Sequence, residues 1–593
     1  MNILKNHFET NQIKMFYVGR NYEKSSLLYK NGCLLSQTEI NGNVLLVIDN
    51  NSSKAFLHTG EKFIDFVRVS LLRNNQCYLS RESDRLIYSV PPLGEYKEKA
   101  VVANRTKTLD WELFDLKSKQ HTLNYESDAI SIISNIYFLN NNNIELFENF
   151  NESGLSDKAI ILGKTLELMN VDEFEKIANY YFKNSDKLKS LAEISEHKLF
   201  TESVSNLLQI NNNPYYLDES LDFIADSSFL KSITHSKWVQ LNYYIRKNFK
   251  PKKKFCVVAT AKNEGIYLLE WISYYKSLGA DAIFIYSNGN EDGSDTLLKE
   301  LHDVGVIHYI ENRVNSGVSA QNKAYTHALT INKEILDYEW SLFIDLDEFI
   351  VFNFSMFSSI TDFLNWHNRI GSHAIALNWI LSIPELNNDW INKPITKRIS
   401  KFNNNTNSHI KTFFKPHYFT TSLPHYPLSV DKQPIVYRAA NGGLHIKSEK
   451  HKTPSLSDKP SNTHAAILHY FNRTLPEFIW KYSRNRGDHP NMLENDCFTD
   501  SVLPLLKTFT TAIESKEYID SSSHLPNNIN IDESINELIK NDKIRKAYLN
   551  VQCRTEQRYK RIYALFWQYL EGKIKTSNHS ESIRVFLERF NNN

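Results

Sequence analysis

Up to about residue 125 the chain runs in short apolar or alternating segments divided by turn residues. Val44-Leu45-Leu46-Val47-Ile48 before Asp49-Asn50-Asn51 is one such segment, and Phe63-Ile64-Asp65-Phe66-Val67-Arg68-Val69 is another. Strands at this spacing predict a β-rich domain of sandwich type over residues 1–125. From 126 to 250 the period lengthens, and Ile160 to Met169 and Phe174 to Phe182 place apolar residues three and four apart, as in helices. Pro251-Lys252-Lys253-Lys254 marks a boundary, and its charge run reads as a solvated linker.

Beyond the boundary the pattern changes to strand–helix alternation. Phe255 to Thr260 is a continuous apolar run, expected of a strand buried on both faces. Leu268, Leu269, Ile272, Tyr275 and Leu278 then share a helical face, with Gly279 where a C-terminal cap belongs. A strand at Ala282–Tyr286 is followed by a polar Gly-rich loop and a helix from Thr296 to Asp303. Val306 to Ile310 predicts a third strand, Ser319 to Leu329 a helix of small residues, and Ser341 to Ile344 a fourth strand. Short connections between alternating elements mean an α/β fold with a mainly parallel, Rossmann-like sheet over residues 251–510. The tail, 511–593, returns to a helical pattern with Asn- and Ser-rich spacers.

Open parallel sheets bind ligands beyond the carboxyl ends of their strands. Three such ends carry polar clusters here: Thr260-Ala261-Lys262-Asn263-Glu264-Gly265, Ser287 to Asp295, and Asp345-Leu346-Asp347-Glu348. In the third, Asp345 and Asp347 face one way along extended backbone while Leu346 turns back to the core. Two convergent carboxylates suit a hard divalent cation, Mn2+ or Mg2+, which would hold a leaving diphosphate. Alone, Asp-x-Asp is ordinary turn chemistry; its place on one rim with two other polar loops favours the metal. Asp292-Gly293-Ser294 is likewise good turn and cap chemistry, or a contact for ribose or base. Asn263 and Glu264 either cap the next helix or set the backbone of Ala261 and Lys262 against a nucleoside. Thr474, Pro476 and Glu477 start a helix with capping-box spacing. On it Lys481 either pairs with Glu477 and offsets the helix dipole, or joins Arg473 and Arg484 in gripping a diphosphate.

Composition narrows the classes. The 593 residues suggest roughly two to four domains. Sixty-nine basic residues nearly balance sixty-eight acidic ones, so nothing global points to nucleic acid. Five scattered cysteines form no CxxC pair or zinc spacing, which favours a reducing compartment. Neither a signal-like apolar start nor a span of roughly 18 apolar residues appears. A cytoplasmic protein is expected, with room for peripheral contact at the inner face of a membrane. Asn-, Lys- and Ile-heavy usage fits an AT-rich microbial genome.

Phe255 to Glu264, the loop Asn290-Glu291-Asp292-Gly293-Ser294-Asp295, and Asp345-Leu346-Asp347-Glu348-Phe349 together resemble GT-A-type transferases of the glycosyltransferase family 2 / family 92 group. Leu468 to Arg473, Phe478 through Lys481 to Gly487, and His425-Tyr426-Pro427 are similar to later motifs of that group, so the resemblance covers about 252 to 490. It implies a GT-A fold, a UDP-sugar-like donor, Mn2+ or Mg2+, and inversion by a carboxylate base; the leading expectation is transfer to a glycan or lipid-linked glycan acceptor in bacterial surface polysaccharide synthesis. It places Asp345 and Asp347 on the metal, with His469 as a third metal ligand or a phosphate contact. The donor would lie against Thr260, Ala261, Lys262, Asn263, Glu264, Asn288, Asp292, Asp345, Arg473, Lys481 and Arg484. After Trp379 the group's Phe-Gly-Ser type turn is replaced by Ile380-Leu381-Ser382-Ile383-Pro384-Glu385-Leu386, on what is usually the acceptor side. Glu385 and Asp389 are the candidates for the base there, with Glu348 either catalytic or fixing the metal ligands. The rival reading is a glycan-binding or scaffold protein on a decayed transferase fold. A nucleotidyltransferase would want a glycine- and basic-rich phosphate loop after the first strand, which this sequence lacks.

Overall fold

The computed structural model describes residues 13–20, 24–31, 33–38, 42–49, 51–59, 62–90, 98–118, 133–134, 137, 147–148, 151, 153–155, 157–210, 215–226, 229–230, 235–384, 393–430, 434–448, 453–482, 506, 509–510, 512, 517–520, 530–573 and 580–591. The chain divides into two compact units, Met1–Thr201 and Glu202–Asn593.

In the first unit, eleven strands from Ile13–Arg20 to Leu113–Ser118 form one antiparallel sheet. The last strand pairs with the first (Val18↔Leu116) and also with the seventh, Gln76–Arg81 (Phe114↔Cys77). Together with the pairings from the first strand through the fourth, fifth and sixth to the seventh, this closes a six-stranded barrel. The expected sandwich is therefore a barrel at its centre: closure removes the two open edges that a sandwich would leave. Val18, Leu46, Ala55, Val67, Leu79 and Phe114 fill its core. Helices Lys158–Leu168, Val171–Phe182 and Ser185–Ile194 follow, the second of them opened by a reciprocal Asn170–Glu173 capping box.

The second unit is built on a ten-stranded sheet. Its first half is β1 (Lys253–Ala261), α1 (Gly265–Leu278), β2 (Ala282–Ser287), α2 (Ser294–Asp303), β3 (His308–Asn312), α3 (Ala320–Thr326) and β4 (Tyr338–Phe343). These four strands are parallel, in the order β3-β2-β1-β4. Gly279 takes φ +101° and returns its N–H to the last carbonyls of α1. β3 begins two residues later than its apolar run, because the Val306 N–H caps α2 through the Leu301 carbonyl. The helix expected to reach Leu329 is α-helical only to Thr326 and widens into a π turn over His327–Ile331. There Asn242 and Arg246 donate to the Thr330 carbonyl.

The second half of the sheet is β5 (Glu348–Phe352), β6 (Ala374–Leu381), β7 (Ile410–Phe414) and β8 (Ala465–His469). β7 runs antiparallel to both β4 and β6; β8 is parallel to β6 and antiparallel to β5. The full path is β3-β2-β1-β4-β7-β6-β8-β5, extended beyond β3 by Tyr216–Leu217, while Tyr437–Ala439 pairs beside β6 off this path. α4 (Leu475–Tyr482) and the long α5 (Asp542–Leu570) complete the surroundings of the rim. α5 packs against α1, α2 and α4. Among the described residues no helix is long and apolar enough to cross a membrane.

Gly265, the first residue of α1, sits where three elements converge. A Cβ there would lie 2.5 Å from Ser294 Oγ and 2.7 Å from Val551 Cγ1. Gly265→Ala is expected to lower stability by about 1–3 kcal/mol through this overpacking. Urea unfolding measures it, and an unchanged midpoint would contradict the packing described.

Candidate functional site

Because β1, β2 and β4 are parallel, the loops that follow them open on the same rim. The first two are locked together by their own side chains. Asn263 adopts φ +52°, a conformation that Asn tolerates better than most residues. Its amide donates to Asn290 Oδ1, and its Oδ1 accepts from the Glu291 amide. Asp292 is buried and caps two helices at once, accepting the Gly265 amide at 2.9 Å and the Ser294 amide at 3.0 Å. Lys262 Nζ donates to the carbonyls of Asn288 (2.9 Å) and Gly289 (2.8 Å). Asp292 and Lys262 thus shape the loops, whose backbone at Thr260–Ala261 ends β1 beside Ser287.

The third loop is held from behind by three aromatic side chains of α1. Trp271 Nε1 donates to the Asp345 carbonyl at 3.1 Å, Tyr275 to the Glu348 carbonyl at 3.0 Å, and Tyr274 to the Ile350 carbonyl at 2.5 Å. Leu346 is buried as the alternation demands, and Asp345 stays partly exposed. β5 pairs Glu348 directly with His469 of β8, which brings the late histidine to the acidic loop.

Charges of both signs meet there. Lys481 Nζ lies 2.7 Å from Asp347 Oδ2, Arg473 Nη2 2.9 Å and His469 Nε2 3.5 Å. The Arg473 approach lacks hydrogen-bond alignment, so both buried Nη atoms of that guanidinium are without a hydrogen bond. Asp345 accepts from Lys411 Nζ (3.0 Å) and from Gln321 Nε2 (3.0 Å). Burial would raise the Asp345 carboxyl, yet Lys411 holds it below the usual carboxylate value. Asp347 is driven well below it against the same burial, by Lys481, His469 and Arg473. Glu348 goes the other way: with no exposed surface, burial pushes its carboxyl well up despite Lys411 3.6 Å away. His469 is lowered by burial, and its Nδ1 faces Glu348 Oε1 at 3.7 Å.

Two ionised carboxylates beside a guanidinium with spare donors suit a divalent cation that takes its remaining ligands from a diphosphate. They do not make a closed protein cage. Among the described residues no three His, Cys, Asp or Glu side chains converge as metal ligands. His469 lies between Asp347 and Glu348, with Nε2 3.5 Å from Asp347 Oδ2 and Nδ1 3.7 Å from Glu348 Oε1.

Residues 254–492 match the family model "Glycosyltransferase family 92". Three plant proteins named for that family align with parts of this chain. One from Ricinus communis is 32% identical over 96 residues, 16% of this chain and 17% of its own length. One from Arabidopsis thaliana is 30% identical over 102 residues, and one from Oryza sativa 31% over 99, covering 17% and 16% of each chain respectively. The chain thus spans about a sixth of the length of these relatives. The likeness to family 92 therefore rests on a segment that is under half of the chain.

The segment that matches the family model is braced by residues outside it. On α5, Arg554 donates to the Glu291 carbonyl (3.2 Å). Arg558 pairs with the Glu291 carboxylate (3.2 Å) and lies over the Trp480 ring, next to Lys481. Lys411 and Gln321 escaped the sequence reading. The signal for Lys411 was a lone lysine in the apolar run of β7, where it has no exposed surface. Gln321, on a small-residue helix, carried none. Arg484, Glu385 and Asp389 lie outside the described residues.

The Glu477–Lys481 pair, one of the two readings of Lys481, does not form, because Lys481 turns to Asp347 and Glu477 is taken by Arg398 at 2.6 and 2.9 Å. Burial opposes the charge on Glu477, but Arg398, Arg473 and Thr474 bring its carboxyl down to about 2 from its ordinary 4.5. A depressed folded value stabilises the protein above the unfolded pKa, and that share is lost as pH falls from 4.5 towards 2. Glu477→Gln, which strands the part-buried Arg398, is expected to cost about 3–5 kcal/mol at neutral pH and to remove that acid-dependent share. Urea titrations at pH 7 and through the acid range check both parts.

Proposed function

We propose that residues 254–492 transfer a sugar from a nucleotide-sugar donor, with UDP as the nucleotide, to a glycan or lipid-linked glycan acceptor on a GT-A-type fold. The observation that carries the reading is the Arg473 guanidinium: buried, beside an ionised Asp347 and Lys481, with both Nη atoms lacking a hydrogen bond. Buried donors of this kind cost stability until an acceptor arrives, and a diphosphate supplies acceptor oxygens in number.

In this reading the nucleoside lies against the interlocked loops at 260–264 and 288–292, and the diphosphate lies over Asp345 and Asp347. Mn2+ or Mg2+, held by those two carboxylates, would neutralise charge on the phosphates when bound. As the glycosidic bond breaks, charge grows on the leaving diphosphate, and Lys481 and Arg473 stabilise it without reorganising. Lys411 keeps Asp345 ionised, and Gln321 fixes its orientation. Glu348, raised by burial, holds the loop by accepting the Asp345 amide. Inversion requires a base on the acceptor side, where Glu385 and Asp389 are the proposed groups.

The test is calorimetric titration of UDP with and without Mn2+. Asp347→Asn is expected to abolish the Mn2+-dependent gain in UDP affinity with unchanged circular dichroism. Lys481→Met should weaken UDP about 10- to 100-fold. Full sugar transfer by Asp347→Asn, or the absence of UDP binding by the parent protein with Mn2+, would overturn the proposal.

A further inference from the structure

Trp379, near the end of β6, is the centre of an aromatic wall that the donor grip leaves unused. Its indole stacks on His409 (centroids 4.9 Å, planes 12° apart) and meets His469 edge-on at 4.4 Å. His425 lies 5.4 Å from the indole and 6.0 Å from His409. Trp379, His409 and His425 are all half-buried rather than sealed in the core. The indole Nε1 is buried and makes no hydrogen bond, a donor awaiting an acceptor. His425 directs Nδ1 at the Ile410 carbonyl, 2.9 Å away. With Nδ1 as the donor, the imidazole is left with Nε2 as an acceptor.

The position along the rim says what such a wall could hold. From β1 the path runs through β4 and β7 to β6, three strand spacings or about 14 Å. The proposed nucleoside loops follow β1 and β2, and the diphosphate grip follows β4, so Trp379 lies on the far side of the carboxylates from the nucleoside. A nucleotide-sugar has the same order: nucleoside, diphosphate, sugar. The chemistry changes in step, from the cations Arg473 and Lys481 at Asp347, through His469, to an indole and two imidazoles. Aromatic faces with a few hydrogen-bonding nitrogens suit the C–H face and hydroxyls of a pyranose.

We propose that Trp379, with His409 and His425, forms a pyranose-binding wall that fixes the sugar at the reacting end of the site. The inference rests on the nucleotide-sugar reading above. A pyranose there is either the one being transferred or the terminal sugar of the acceptor, and the two respond differently to the same substitutions.

Full-length protein, Trp379→Phe and Trp379→Ala are titrated with UDP, UDP-galactose, UDP-glucose and UDP-N-acetylglucosamine in Mn2+. The corresponding methyl β-pyranosides are followed by saturation-transfer NMR. The parent protein is expected to bind at least one UDP-sugar more tightly than UDP, or to bind one pyranoside. Trp379→Ala should weaken that sugar-dependent binding about tenfold, and the aromatic Trp379→Phe should retain most of it, with UDP alone shifted less than about twofold. Loss confined to UDP-sugars assigns the wall to the transferred sugar; loss confined to the methyl pyranosides assigns it to the acceptor. The wall is overturned if Trp379→Ala leaves both unchanged, if it weakens UDP in equal proportion, or if the parent binds UDP but shows neither a gain from any UDP-sugar nor binding of any pyranoside. Failure of the parent protein to bind UDP at all instead removes the nucleotide-sugar reading beneath it.

Discussion

An ionised carboxylate buried at Asp347 is the constraint around which the second unit is arranged. Removing a charge from water costs several kcal/mol unless partners replace the solvent, so Asp347 is tolerable only where cations reach it. Lys481 and Arg473 are those cations, with the His469 imidazole beside them, and Lys481 lies 134 residues further along the chain. Their arrival depends on β8 pairing with β5, which sets His469 opposite Glu348, and on α4 docking beside it. α5 then braces α4 through Arg558 over Trp480 and reaches the Glu291 loop with the same side chain. A change in any of these packings leaves a carboxylate, a guanidinium or a lysine buried without its counter-charge.

The rim also separates rigid parts from those with unspent hydrogen-bonding capacity. Asn263, Asn290 and Asp292 spend polar atoms on each other and on helix amides, so the two nucleoside-side loops hold their shape without a ligand. Trp271, Tyr274 and Tyr275 do the same for the backbone around Asp345 and Glu348. Among the donors left over are the Arg473 guanidinium at the charged end and the Trp379 indole N–H at the aromatic end. Preorganised surroundings with a few unsatisfied donors reduce the reorganisation that binding and catalysis would otherwise require. This contrast favours a ligand-binding site over a decayed scaffold.

Much of the parallel half of the sheet was legible in the sequence because its signals are local. The run at Phe255–Thr260, the helical face from Leu268 to Leu278, the Gly279 cap and the Leu346 alternation each depend on residues within a few positions of one another. The polar strand ends then made Asp345 and Asp347 worth noticing. The errors are also local in origin: Val306 looks like a strand residue, but its amide is drawn into the α2 cap. The strands expected before residue 125 are found between Ile13 and Ser118, while the closing of six of them into a barrel turned on the last strand pairing with both the first and the seventh.

Composition and period by themselves determined where the strands and helices of the α/β segment lie and which acids end β4. Tertiary structure alone decided the partners of those acids. Lys411 from β7 neutralises Asp345, Gln321 from α3 orients it, Lys481 goes to Asp347 rather than to Glu477, and Arg398 takes Glu477 instead. The division has a physical reason. Backbone preference and amphipathic period are set over one or two turns of chain, whereas a buried charge is satisfied by whichever opposite charge the long-range strand pairing delivers.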